Sequence, residues 1–158
     1  MEHLTQNAEY DTPSGRGLCL LKRLHLPIWI SFYTRVAQAI FRGSKVARKG
    51  GYTRAFWSEQ SRWVFEVIES HGGVFHIRNL DNIRKVDGPV VFVSNHMSAL
   101  ETLILPCLIL PIKDFTFVVK DVLLDYPVFG HLLRSTEPIA VTRKNPREDL
   151  KTVLEKGE

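Results

Sequence analysis

Four consecutive apolar residues, Val90-Val91-Phe92-Val93, end abruptly at Ser94-Asn95-His96. A run that is apolar without alternation reads as a central strand, buried on both faces. The residues that follow lead into a helix, because Ser98-Ala99-Leu100-Glu101 has the S-x-x-E form of a capping box. That pattern puts Ser98 at the N-cap and Glu101 at the third helical position. A buried strand feeding a helix is the first half of a βα unit, and such units imply an α/β architecture.

The flanking sequence repeats the theme. Val74-Phe75-His76-Ile77-Arg78 alternates as a strand does, Leu100 to Leu110 reads as a buried helix stopped by Pro111, and Phe115 to Val119 as another strand. Val122 to Arg134 is mostly helical with interruptions at Pro127 and Gly130. Ile139 to Thr142 is a short strand, and Asp149 to Lys156 an amphipathic helix ending at Gly157. The expected fold is α/β, with a mainly parallel sheet flanked by helices. About four strands are visible, so the sheet is expected to be incomplete, with its remaining strands beyond Glu158.

Charge divides the chain. Between Thr12 and Ser58 there is no carboxylate, while Arg16, Lys22, Arg23, Arg35, Arg42, Lys45, Arg48, Lys49 and Arg54 supply nine positive charges. The rest of the chain, with 12 basic and 17 acidic residues, is slightly acidic. Such an asymmetry suits a basic module facing an anionic surface, a membrane leaflet or a nucleic acid. From Leu26 to Arg42 the residues Ile28, Phe32, Val36 and Ile40 recur every fourth position beside Trp29, Tyr33 and Ala39. Ser31, Arg35, Gln38 and Arg42 fall opposite, and Pro27 stands as first helical residue. A second helix from about Thr53 to Ser70 carries Phe56, Trp57, Trp63, Val64, Val67 and Ile68 and stops at Gly72-Gly73.

The sequence is therefore expected to divide into a flexible leader (1–17), a basic amphipathic helical hairpin (18–71) and an α/β domain (72–158) whose C-terminal part is expected beyond Glu158. The hairpin is too short, and Arg35 too central, for the roughly 20 apolar residues of a bilayer span. Aromatic residues on one face and arginines on the other fit a helix lying in the membrane interface. The alternative is a packing cap on the domain behind it. Because the aromatic residues are committed to one apolar face, nucleic acid is not the expected partner. The two cysteines, Cys19 and Cys107, lie far apart without a C-x-x-C pattern, which fits a reducing, cytosolic setting.

His96 and Glu101 are five residues apart, so in one continuous helix they would be rotated by about 140° and could not share a face. They can meet if the helix begins between them. A helix N-terminus disfavours positive charge and so favours a neutral His96 that can accept a proton. Glu101 on the other ring nitrogen would fix the tautomer and steady the imidazolium. Capping alone would also explain Glu101. No G-x-S-x-G elbow occurs. G-x-G-x-x-G and G-x-x-x-x-G-K-[ST] loops are absent too, and His76, His96 and Glu101 lack metal-ligand spacing, so no metal is expected. His3, His25, His71 and His131 read as surface or structural residues.

Ser94 to Glu101 resembles the first block of the glycerophospholipid acyltransferase family, N-H followed by four residues and an acid. Val119-Lys120-Asp121-Val122-Leu123-Leu124-Asp125-Tyr126-Pro127-Val128-Phe129-Gly130 resembles its K-x-x-L-x-x-x-P-x-x-G segment. Pro138-Ile139-Ala140-Val141-Thr142-Arg143 is similar to its second block, which ends in arginine. The resemblance implies acyl transfer from a thioester, acyl-CoA or acyl carrier protein, to a hydroxyl of 1-acylglycerol-3-phosphate or a related lysophospholipid. By the same match His96 is the general base and Glu101 its orienting partner. Arg143 contacts the acceptor phosphate, with Lys120 in the same anionic pocket, although a surface role for Arg143 fits the residues equally. No cofactor is implied beyond the thioester co-substrate. The expected location is the cytoplasmic face of the membrane, peripheral or monotopic. Two departures stand out: the family's usual acid is aspartate, and its E-G-T-R block is not found before Glu158. The chain as it stands is expected to be weakly active or inactive within an active parent protein. A non-catalytic module that binds anionic membrane surfaces is the competing class.

Overall fold

The computed structural model describes residues 7–15 and 28–157. Pro27, Arg16, Lys22 and Arg23, on which part of the hairpin reading rests, lie outside them.

Helix α1 covers Ile28–Arg48 and α2 covers Arg54–Ser70. The expected boundary at Arg42 is overrun by six residues, for a steric reason. A Cβ on Gly43 would come within 2.6 Å of the Gln60 side chain and 2.7 Å of Leu132 Cδ1. Gly43 is therefore not a linker residue but the point where α1 crosses closely over α2. Gln60 Nε2 ties the crossing by donating to Ala39 O at 2.6 Å. Gly50, with φ of 71°, ends the helix in the left-handed conformation that glycine adopts without strain. The Thr53 hydroxyl caps α2 by accepting from Phe56 N–H at 3.2 Å. At the far end the His71 ring lies between Val67 O and Ser31 Oγ, 2.7 and 3.1 Å away, linking the end of α2 to the start of α1.

The strand expected at 74–78 shrinks to β2, His76–Ile77, and its partner is unexpected. It pairs antiparallel with β1, Tyr10–Asp11, drawn from the segment read as a flexible leader. The pairing is anchored by Glu69, only 2% exposed, whose carboxylate accepts from Tyr10 Oη at 2.6 Å and Thr12 Oγ1 at 2.7 Å. Phe75 stacks on Phe65 at 4.1 Å between ring centroids, and Tyr10 meets the same ring edge-on. Phe65, Leu80, Cys107 and Leu108 form the buried cluster beneath. A short helix α3, Asp81–Arg84, closes this side.

Helix α4 runs Leu100–Ile109 and contains Pro106. Strands β3, Val118–Lys120, and β4, Ile139–Val141, form a parallel pair in which Lys120 lies opposite Val141. Between them come a 3₁₀ turn at Asp121–Asp125 and α5, Phe129–Arg134. The interruption expected at Gly130 falls instead at Val128. There φ is 68° and ψ −59°, and Phe129 N–H bonds Pro127 O at 2.8 Å, a tight γ-turn of the strained, positive-φ kind. Gly130 is instead inside α5, at a position where a Cβ would lie 2.1 Å from Leu124 O and only glycine fits. A second cluster, Tyr52, Trp57 and Leu132, joins α2 and α5, with Phe115 stacked on Trp57 at 5.3 Å. Helix α6, Pro146–Lys156, starts before Asp149 because Asn145 caps it and Pro146 takes the first helical position.

The described residues thus form a mixed helical fold with two two-stranded sheets, one antiparallel and one parallel. The largest departure is at Val90–Val93. Residues 86–99 have no helix or strand, and Val91 and Val93 are 90% and 89% exposed. An apolar run becomes a central strand only with a neighbour on each side and cover on both faces. No described segment pairs with it, and only Phe92 reaches a partner ring, Phe115, at 6.3 Å edge-on.

Candidate active site

His96 lies near the end of the irregular segment, with its side chain 75% exposed, and Glu101 lies in the first turn of α4 at 20%. The helix does begin between them. The His96 Nδ1 and Glu101 Oε1 atoms are in direct hydrogen-bond contact. A carboxylate can only accept, so Nδ1 carries the proton, and in the neutral ring Nε2 is then the acceptor.

The cap differs in detail from the sequence pattern. Ala99, not Ser98, is at the N-cap position and makes no side-chain cap bond. Ser98 Oγ accepts from Leu100 N–H at 3.0 Å and reaches Glu101 Oε2 at 3.5 Å. Glu101 therefore spends its carboxylate on His96 and the Ser98 hydroxyl. Its own backbone N–H is the main cause that holds this carboxyl below the usual glutamate range; the His96 ring and Ser98 add to it against partial desolvation. The carboxylate is consequently ionised at neutral pH, as an orienting partner for an imidazole must be.

The segment leading to His96 is tacked down at its start by Lys113, whose Nζ donates to Val86 O at 2.9 Å and Gly88 O at 2.7 Å. Nothing in the spacing of the sequence pointed to Lys113. Asp149 is a second residue that pattern alone does not reveal. The sequence reading opens a helix with it, but its carboxylate reaches back and accepts from Thr142 N–H at 2.8 Å and Arg143 N–H at 2.7 Å. These backbone donors, Thr142 foremost, hold its carboxyl below the usual aspartate range. Arg143 is thereby fixed at φ of 60° in the turn after β4.

Lys120 closes β3 and Arg143 follows β4, so the parallel register brings both to the same end of the pair. Both side chains are exposed, and among the described residues no hydrogen bond or ion pair links either to His96 or Glu101. Behind α4 lies an apolar cavity of about 40 Å³ bordered by Val36, Ile40, Trp57, Thr102 and Leu103. Among the described residues no group of three or more His, Cys, Asp or Glu converges to hold a metal ion. None of their helices is long and apolar enough to cross a membrane.

An imidazole paired with a carboxylate at a helix start, and two basic residues at one sheet end, make up the candidate site. The acyltransferase family matches residues 74–158, more than half of the chain, and the chain belongs to that family. Over 102 residues it is 32% identical to the 1-acyl-sn-glycerol-3-phosphate acyltransferase of Pseudomonas aeruginosa, covering 65% of this chain and 37% of that protein. The chain thus spans little more than a third of that relative's length. No solved structure matches it.

Proposed function

We propose that this chain carries the general-base half of an O-acyltransferase active site. The reaction moves a fatty acyl group from a thioester, acyl-CoA or acyl carrier protein, to the free hydroxyl of 1-acylglycerol-3-phosphate or a related lysophospholipid. The observation that carries this reading is the His96–Glu101 contact, in which Nδ1–H donates to the carboxylate, on a histidine whose side chain is 75% exposed.

In the proposed step the acceptor hydroxyl gives its proton to His96 Nε2 as its oxygen attacks the thioester carbonyl carbon. The C–S bond breaks, and the imidazolium returns the proton to the leaving thiolate. Glu101 stabilises the transient positive ring, and no acyl-enzyme is required. Arg143 and Lys120 hold the acceptor phosphate, a guanidinium fork being suited to that geometry.

The acceptor is a lipid, and α1 supplies a surface to meet it. Phe32, Val36 and Ile40 turn inward, but Trp29, Tyr33 and Phe41 lie on a second stripe and are 63%, 65% and 62% exposed. Arg42, Lys45, Arg48 and Lys49 are exposed beyond it. Such a helix lies in the interface with its aromatic stripe among the lipid headgroups, at the cytoplasmic face.

The test is thiol release from a long-chain acyl thioester by the full-length protein in anionic vesicles. The proposal expects release that depends on added 1-acylglycerol-3-phosphate, with the diacyl product formed in equal amount. Vesicle binding with no thioester consumption would favour instead a non-catalytic membrane-surface module.

A further inference from the structure

Helix α4 has a fault in its middle. Pro106 brings no N–H to the Thr102 carbonyl, and its ring crowds that carbonyl, which is the usual cause of a kink. The two halves also differ in support. Pro106 to Ile109 are buried in the core, whereas residues 101–105 are half-buried and Leu100 is 39% exposed. Glu101 thus rides on the half of the helix that leaves the core just where the ladder is interrupted.

One side chain from another element spans the fault. Ser61 of α2, 3% exposed, donates from Oγ to Leu103 O at 2.7 Å and accepts from Cys107 N–H at 3.0 Å. Leu103 O and Cys107 N–H are the two ends of the ladder rung next to the missing one. Leu103 is two residues from Glu101. Other buried polar groups nearby are not so used: Ser44 Oγ and Gln60 Oε1 have no partner among the described residues.

We infer that Ser61 is a positioning residue, holding the first half of α4 at the angle where Glu101 meets the His96 ring. Its effect on rate rests on the acyltransferase reading above; its effect on the ring does not. Ser61 touches no reacting atom in this scheme. It acts through the Leu103 carbonyl on the placement of Glu101, and small misplacements of catalytic groups are costly in rate.

The experiment uses the full-length protein with 15N-labelled histidine, following the His96 ring nitrogens by NMR alongside acyl transfer to 1-acylglycerol-3-phosphate. Ser61→Ala is expected to lose the signal of an Nδ1–H bonded to carboxylate. It should also lower kcat about tenfold to a hundredfold with KM little changed. Pro106→Ala restores a backbone donor to Thr102 O, so the ladder no longer needs the bridge. In the double variant Ser61→Ala with Pro106→Ala, the ring signal and rate should return to those of Pro106→Ala alone. Ser44→Ala serves as the control for loss of a buried hydroxyl. A wild-type ring signal in Ser61→Ala, or effects of the two substitutions that simply multiply, would overturn the inference. If Ser61→Ala disturbs the ring while His96→Ala leaves acyl transfer intact, the positioning stands and the catalytic reading falls.

Discussion

At the scale of single residues, Glu101 and Asp149 illustrate how much a carboxylate's neighbours decide. The His96–Glu101 pair was legible in the sequence because a helix start between the two residues is the one geometry that lets them meet, and S-x-x-E marks such a start. The use of Asp149 was not legible, since its partners are backbone N–H groups of Thr142 and Arg143, which no residue type advertises. Its folded-state pKa is depressed, so the stability it confers is full above the unfolded aspartate pKa of about 3.9 and is lost as pH falls through the folded value. Urea unfolding should therefore show Asp149→Asn weaker than wild type at pH 7 and the difference vanishing in strong acid. Gly130 makes a sharper case. With Leu124 O 2.1 Å from where a Cβ would sit, Gly130→Ala forces backbone to move. An overpacking cost of about 1–3 kcal/mol is expected in the same unfolding measurement.

At the scale of elements, the helices were readable and their joints were not. The four-residue spacing of α1 identified one apolar face and gave it to the membrane interface ahead of packing; in the structure Phe32, Val36 and Ile40 of that face turn inward, while Trp29 and Tyr33 beside them are exposed. Substituting Trp29, Tyr33 and Phe41 by serine should weaken vesicle binding without changing the unfolding midpoint by much, because these side chains bury little against the protein. Flotation with vesicles checks this; unchanged flotation would refute the interfacial role of α1. The joint at Val128 was invisible for a different reason. A β-branched residue at φ of 68° contradicts local preference and is held there by the turn around it. Glycine carries no such penalty and alanine still does, so Val128→Gly should be more stable than Val128→Ala by about 1 kcal/mol.

For the molecule as a whole, the sequence reading anticipated alternating helices and strands and the acyltransferase family, and it misjudged which segments pair. Val90–Val93 carries the composition of a central strand, but composition does not name a neighbour, and among the described residues none pairs with it, leaving Val91 and Val93 exposed. Conversely, Tyr10–Asp11 looked like leader because its partner, His76–Ile77, lies far along the chain. Pairing across such distances is set by tertiary contacts, here Glu69 and the Phe65 cluster, and not by local pattern. The basic end of α1 and the turn after it should add a salt-dependent term to lipid binding, about 1 kcal/mol for each of Arg42, Lys45, Arg48 and Lys49 near an anionic surface. Binding to anionic vesicles should accordingly weaken between low and physiological salt. The central claim is that His96 Nε2 removes the proton of an acceptor hydroxyl. Its most direct measurement is acyl transfer to 1-acylglycerol-3-phosphate by the full-length protein bearing His96→Ala. A loss of about 10²–10⁴-fold in kcat, with vesicle binding kept, is predicted; transfer at the wild-type rate would contradict the account.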